Sequence, residues 1–158
     1  MATVHETFVR IQAHYRGRLG VEVGIFVAVD HLRRADRLTE DEEELYFDID
    51  DWFQIHLPNP SFYDDGNTTG AVTWFKTSST SEMRKRLEPL CRLLDQCGVA
   101  WVAAESKDPG RIIYEDRFQV GVIPYQRFEP TPLPKDIVLG PTTAGSKRHL
   151  GKRARRRV

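Results

Sequence analysis

Ala71-Val-Thr-Trp-Phe-Lys76 and Val99-Ala-Trp-Val-Ala-Ala104 are two short runs of β-branched, aromatic and small apolar residues. Such runs suit a pleated strand. Between them Met83, Leu87, Leu90, Cys91 and Leu94 recur at helical spacing. Ser79 and Glu82 have the spacing of a capping box, so a helix is expected from there to about Gln96. Gly98 stands where a C-terminal cap belongs, and Pro89 predicts a local bend. Strand, crossover helix and second strand over Ala71–Glu105 read as a right-handed βαβ unit with parallel strands.

The flanks extend this unit. After it, Asp108-Pro-Gly110 predicts a turn, and Arg111–Ile123 a strand pair closing as an antiparallel hairpin. Before it, Phe8-Val-Arg-Ile-Gln-Ala-His-Tyr15 alternates apolar and polar residues, the pattern of a half-buried strand broken by Gly17 and Gly20. Val21–Ala35 supports two readings. Val21, Val23, Ile25, Val27 and Val29 alternate, yet Ile25, Val29 and Leu32 also form a helical stripe; the reading adopted is a helix from about residue 24. Thr39-Glu-Asp-Glu42 is a capping box opening a helix with Leu45, Ile49, Trp52, Phe53 and Leu57 on one face, stopped by Pro58. Its acids Glu40–Glu44 complement the positive end of the helix dipole. The expected order is β-α-α-β-α-β-β: an α/β (α+β) sandwich with a mixed sheet of three or four strands and helices mainly on one face. A ferredoxin-like variant is the nearest common architecture.

The chain has 158 residues and 40% apolar content, enough for one domain with an appendage. No apolar run approaches the roughly 18 residues that cross a bilayer, and Met1–Glu6 has no secretory pattern. The formal charge is zero, but it is segregated. Residues 1–146 hold 16 basic and 23 acidic side chains, a net charge of −7, while Lys147, Arg148, Lys152, Arg153, Arg155, Arg156 and Arg157 give the end +7. Five of nine prolines fall from Pro124 onward. The expected division is therefore a folded domain at 5–125, a Pro-rich linker at 126–146 and a basic tail at 147–158. Cys91 and Cys97 lack CxxC spacing and read as reduced structural thiols, which fits a cytoplasmic protein.

For chemistry, the expectation is an anion site at the carboxyl edge of the sheet. Lys76 leads into Ser78, Ser79 and Ser81 at a helix start. Were the first strand also parallel, Arg16, Arg18, Lys107 and Arg111 would join the same edge. Glu105-Ser-Lys107 matches the ExK half of a metal-dependent nuclease core, with Asp108 beside it and Asp64 or Asp65 as the only candidates for the second acid. Ser79-Thr-Ser81 after Trp74-Phe75 resembles the serine motif of ADP-ribosyltransferases, with Arg10 as the matching arginine. No Glu-x-Glu or Gln-x-Glu follows it, so this likeness assigns no family. His5, His14, His31, His56 and His149 show no metal-ligand spacing, and no cofactor or metal is expected.

The tail is the most specific feature. Seven cations in twelve residues displace counterions from a phosphate backbone, and a tail without aromatics contacts backbone rather than bases. A solubilising end, an import-like signal, an acidic protein partner, or docking on the chain's own acidic helix are the competing readings. The sequence thus predicts a non-enzymatic binding module whose body recognises a partner and whose tail contacts RNA or DNA. The alternative is a small phosphate- or nucleotide-handling enzyme using the sheet edge.

Overall fold

The computed structural model describes residues 6–135 and 137–139. The chain runs β1 (Phe8–Arg16), β2 (Glu22–Gly24), α1 (Ile25–Arg34), α2 (Glu40–His56), a 3-10 turn (Ser61–Tyr63) and β3 (Val72–Lys76). It continues with α3 (Ser81–Lys85), α4 (Glu88–Gln96), β4 (Trp101–Ser106), β5 (Arg111–Glu115) and β6 (Gln119–Ile123). The fold is α+β, as expected. The sheet is larger than expected and differently paired: six strands, every pairing antiparallel.

β1 organises the sheet. One of its edges carries β4, from Phe8 opposite Ser106 to Ala13 opposite Trp101. Its other edge is shared, with β3 against Phe8 and Val9 and β2 against Gln12 and Arg16. Beyond β3 lie β6 and then β5. β3 and β4 do run parallel to each other, but β1 lies between them and opposes both. The expected neighbouring parallel pair is therefore replaced by two antiparallel ladders.

Both readings of Val21–Ala35 find a place. Val23 points inward from β2, and Gly24 then begins α1. The Thr39 capping box is formed as expected: Thr39 Oγ1 accepts from the Glu42 N–H, and the Glu42 carboxylate accepts from the Thr39 N–H at 2.8 Å. The Ser79 box is not. Ser79 donates to the Arg117 carbonyl, and Thr80, at the cap position, turns its hydroxyl back to the Lys76 carbonyl. Nor does Pro89 bend a continuous helix. It lacks the N–H an interior position needs, so the helix ends at Lys85 and a new one starts with Pro89 in its first turn.

The helices cover one face of the sheet, with Val29, Leu32, Tyr46, Phe53, Leu87, Leu90 and Leu94 excluded from solvent. Tyr46, Phe47, Asp50 and Phe53 are the buried residues of α2, so its inner face is rotated from the expected one, and Leu45 is 37% exposed. The opposite face holds a smaller cluster, Phe8, Val72, Val120 and Val122 with Trp74, Leu19 and Val21 packed on it. Residues 127–135 and 137–139, within the stretch read as a linker, lie on the body. Arg127 donates to the carbonyls of Leu19, Thr69 and Gly70, Thr131 is bonded to Arg16, and Ile137 is buried in the main core. Among the described residues no helix is long and apolar enough to cross a membrane.

Candidate functional site

The cations expected along one sheet edge are dispersed by the antiparallel course of β1. Lys76 ends β3 and Lys107 follows β4, both near Phe8 at the start of β1. Arg16 ends β1 at the opposite end, where it pairs with Glu22 at 3.5 Å and donates to the Glu129 carbonyl. Arg18 is exposed in the turn beyond. Arg111 pairs with Ile123 just before the start of β3, five residues or about 17 Å along the ladder from Lys76.

Near Lys76 the positive groups already face carboxylates of the chain. Lys76 Nζ meets Glu115 at 2.6 Å. The Glu6 carboxylate accepts from the Ser78 N–H, the Ser78 hydroxyl and the Thr77 hydroxyl. Burial pushes the Glu6 carboxyl up, but these bonds and nearby Lys76 outweigh it and hold the group below the usual carboxylate range. Ser81 is exposed at the start of α3, a helix of five residues. Glu105, Lys107 and Asp108 are exposed, and Asp108 accepts from the Tyr125 hydroxyl at 2.6 Å. Among the described residues no three His, Cys, Asp or Glu side chains gather as a metal set. The tail cations Lys147 to Arg157 lie outside the described residues. Burial pushes the Cys91 thiol up to about 11 and Cys97 upward too, away from the thiolate a nucleophile needs.

The structure instead concentrates unusual chemistry at the fork where β2 and β3 leave β1. The register passes from Phe75 opposite Val9 to Gly24 opposite Gln12, so residues 10 and 11 have no partner on that edge. Arg10 fills the gap. Its Nη1 donates to Gln12 Oε1 at 2.8 Å and to the Glu22 carbonyl at 2.6 Å. Gly24 makes this fit possible, because a Cβ there would stand 3.2 Å from Nη2. The nearest acid, Glu22, is turned to Arg16. Burial pushes the guanidinium down to about 10, against the pull of Tyr63 and Glu22.

Two chambers meet at Arg10. The aromatic one, about 110 Å³, is lined by Phe26, Leu57, Tyr63, Trp74 and Phe75. The polar one, about 320 Å³, has Arg18, His31, Arg34, Glu22 and Asp30 in its lining. In the sequence Arg10 stands out only as a residue of an alternating strand and as the arginine that would accompany the Ser79-Thr-Ser81 motif. The available signal was a lone arginine in a half-buried strand together with the glycine at 24.

His31 bonds to the Tyr15 hydroxyl at 2.8 Å. Burial lowers its pKa from 6.5, Arg34 adds to the effect, and Asp30 opposes it. The unfolded chain therefore takes up this proton more readily than the folded one. The stability contributed by neutral His31 is complete above pH 6.5 and is lost as pH falls from there through the lowered folded value. Urea midpoints measured from pH 7.5 to 5.5 are expected to fall in the native protein, with a flatter dependence in His31→Gln.

Fold and site together define an α+β domain built on an open antiparallel sheet, with a half-buried arginine at a fork between strands. No protein-family model, curated protein or solved structure matches the chain.

Proposed function

We propose that the protein is a non-enzymatic binding module in which the folded body recognises a partner and the basic tail holds nucleic-acid backbone. The observation that carries this reading is the segregation of charge, −7 before residue 147 and +7 from there on. The body supports it indirectly: Lys76 and the Ser78 turn are engaged by the chain's own carboxylates, which leaves backbone contact to the tail. The alternative, a phosphate- or nucleotide-handling enzyme using Glu105, Lys107 and Asp108, draws less support from three exposed and separated side chains. In layout, β3–α3–α4–β4 with β1 inserted between its strands is read as a ferredoxin-like split βαβ. Two free thiols favour a cytoplasmic setting.

The test is fluorescence anisotropy with random-sequence RNA and duplex DNA, comparing the native chain with one carrying glutamine at all seven tail cations. With up to seven phosphates neutralised, log affinity for duplex is expected to fall with log salt at a slope of about −6. Between 50 and 200 mM salt that is a loss of roughly 10³-fold. The neutralised chain should show almost no binding. Equal binding by the two chains would refute a tail tether.

A further inference from the structure

Arg10 is a half-buried cation with three of its five donors unused among the described residues. Nη1 spends its hydrogens on Gln12 and the Glu22 carbonyl, while Nε and Nη2 meet no acceptor among the described residues. That free edge is the side of a guanidinium that takes two oxygens of one oxyanion. No carboxylate of the described residues forms an ion pair with Arg10. A second observation concerns Trp74, which also lines the aromatic chamber: its Nε1 is buried and has no acceptor among the described residues. Both unmet groups are donors, so what would satisfy them is an acceptor. Residues Gly24 to Val27 line the chamber as well, and α1 starts there with no side-chain cap and no acid in its first turn. The helix dipole therefore adds to the positive potential.

We propose that the fork between β2 and β3 binds a small organic oxyanion, a carboxylate or phosphate monoester on a compact apolar body. The charged end lies on the free edge of Arg10 and the apolar body in the aromatic chamber. At about 110 Å³ this chamber is close to the size that admits one six-membered ring. Arg18 and Arg34 are exposed in the adjoining polar chamber, where they attract the anion. This site is separate from the tail and does not rest on nucleic-acid binding.

The test uses the full chain with benzoate, phenyl phosphate and inorganic phosphate, read by thermal shift, calorimetry and the Trp74 indole N–H resonance, assigned through Trp74→Phe. At least one organic probe is expected to bind saturably, move that resonance and raise the melting temperature. Inorganic phosphate should bind about fivefold or more weakly, because it leaves the apolar wall unused. Arg10→Gln should weaken the organic probe by about tenfold or more. Since Arg10 also secures β2, a second variant keeps the test decisive. Arg18→Gln with Arg34→Gln alters two exposed positions and should weaken binding about two- to fivefold, with a smaller salt dependence.

The chain with seven neutral tail positions should bind the probe as the native chain does, which separates this site from the tail. Benzoate binding without phenyl phosphate identifies a carboxylate ligand, and the reverse a phosphate ester. Absence of saturable binding by both organic probes to about 20 mM, a range in which even millimolar affinity is detected, overturns the proposal. So does affinity unchanged by both the Arg10 and the Arg18/Arg34 substitutions, inorganic phosphate equal to the organic probes, or loss of binding on neutralising the tail.

Discussion

Phe53→Ala is expected to lower the stability of the fold by about 3–5 kcal/mol, the cost of deleting a fully buried aromatic ring and leaving its cavity. Phe53 has no exposed surface and joins three layers of the main core. Its ring meets Phe26 of α1 edge-on at 5.4 Å, Trp52 of its own helix at 5.1 Å and Phe75 of β3 at 6.2 Å. No single neighbour can move in to fill the space, because each is held by a different element. For a chain of this length each kcal/mol shifts the melting temperature by roughly 2–4 °C, so the midpoint should drop by about 6–20 °C. Urea denaturation should show a reduced midpoint at unchanged slope. A loss below about 1.5 kcal/mol, the ceiling for well-tolerated core changes, would contradict this account of the core.

Gly110→Ala is the second large effect, expected at about 2–4 kcal/mol from backbone strain and overpacking together. Gly110 is buried at the entry to β5 with φ +156°. An added Cβ would overlap the Ile123 carbonyl oxygen and stand 3.0 Å from Val122 Cγ2. The obstacle is the backbone of β6, which cannot step aside without disturbing the pairing of Arg111 with Ile123 and Ile112 with Val122. Amide exchange should therefore quicken first across β5 and β6. Gly66→Ala is the control: its Cβ would meet nothing within 4 Å, so only the left-handed conformation is charged, about 1 kcal/mol. Equal losses in the two variants would refute the steric explanation.

Local chemistry was readable wherever it depended on a few neighbouring residues. The Thr39 capping box needs a hydroxyl and a glutamate three residues apart, and both bonds form. β1 was evident from alternation alone, and the hairpin of β5 and β6 from the strand pair read over Arg111–Ile123. The same local rules misplaced Ser79 and Pro89. The Ser79 hydroxyl found a carbonyl 38 residues away at Arg117, and the helix stopped and restarted rather than bending. The inner face of α2 was misjudged because Asp50, a charged residue, is 1% exposed there, which hydrophobic patterning cannot anticipate.

The amino-acid sequence by itself determined most of the elements, the α+β class, and the division of charge along the chain, because propensity, capping and net charge are properties of short stretches. Only the tertiary structure decided the direction of β1, and with it the fate of the expected site. An antiparallel β1 carries Arg16 and Arg18 away from Lys76, and folding brings Glu6 and Glu115 onto the Lys76 edge. The same arrangement leaves a gap between β2 and β3 that Arg10 enters with no carboxylate to meet it. Strand direction and the partners of a buried charge are set by contacts distant in sequence, whose free energy exists only once the whole sheet has formed.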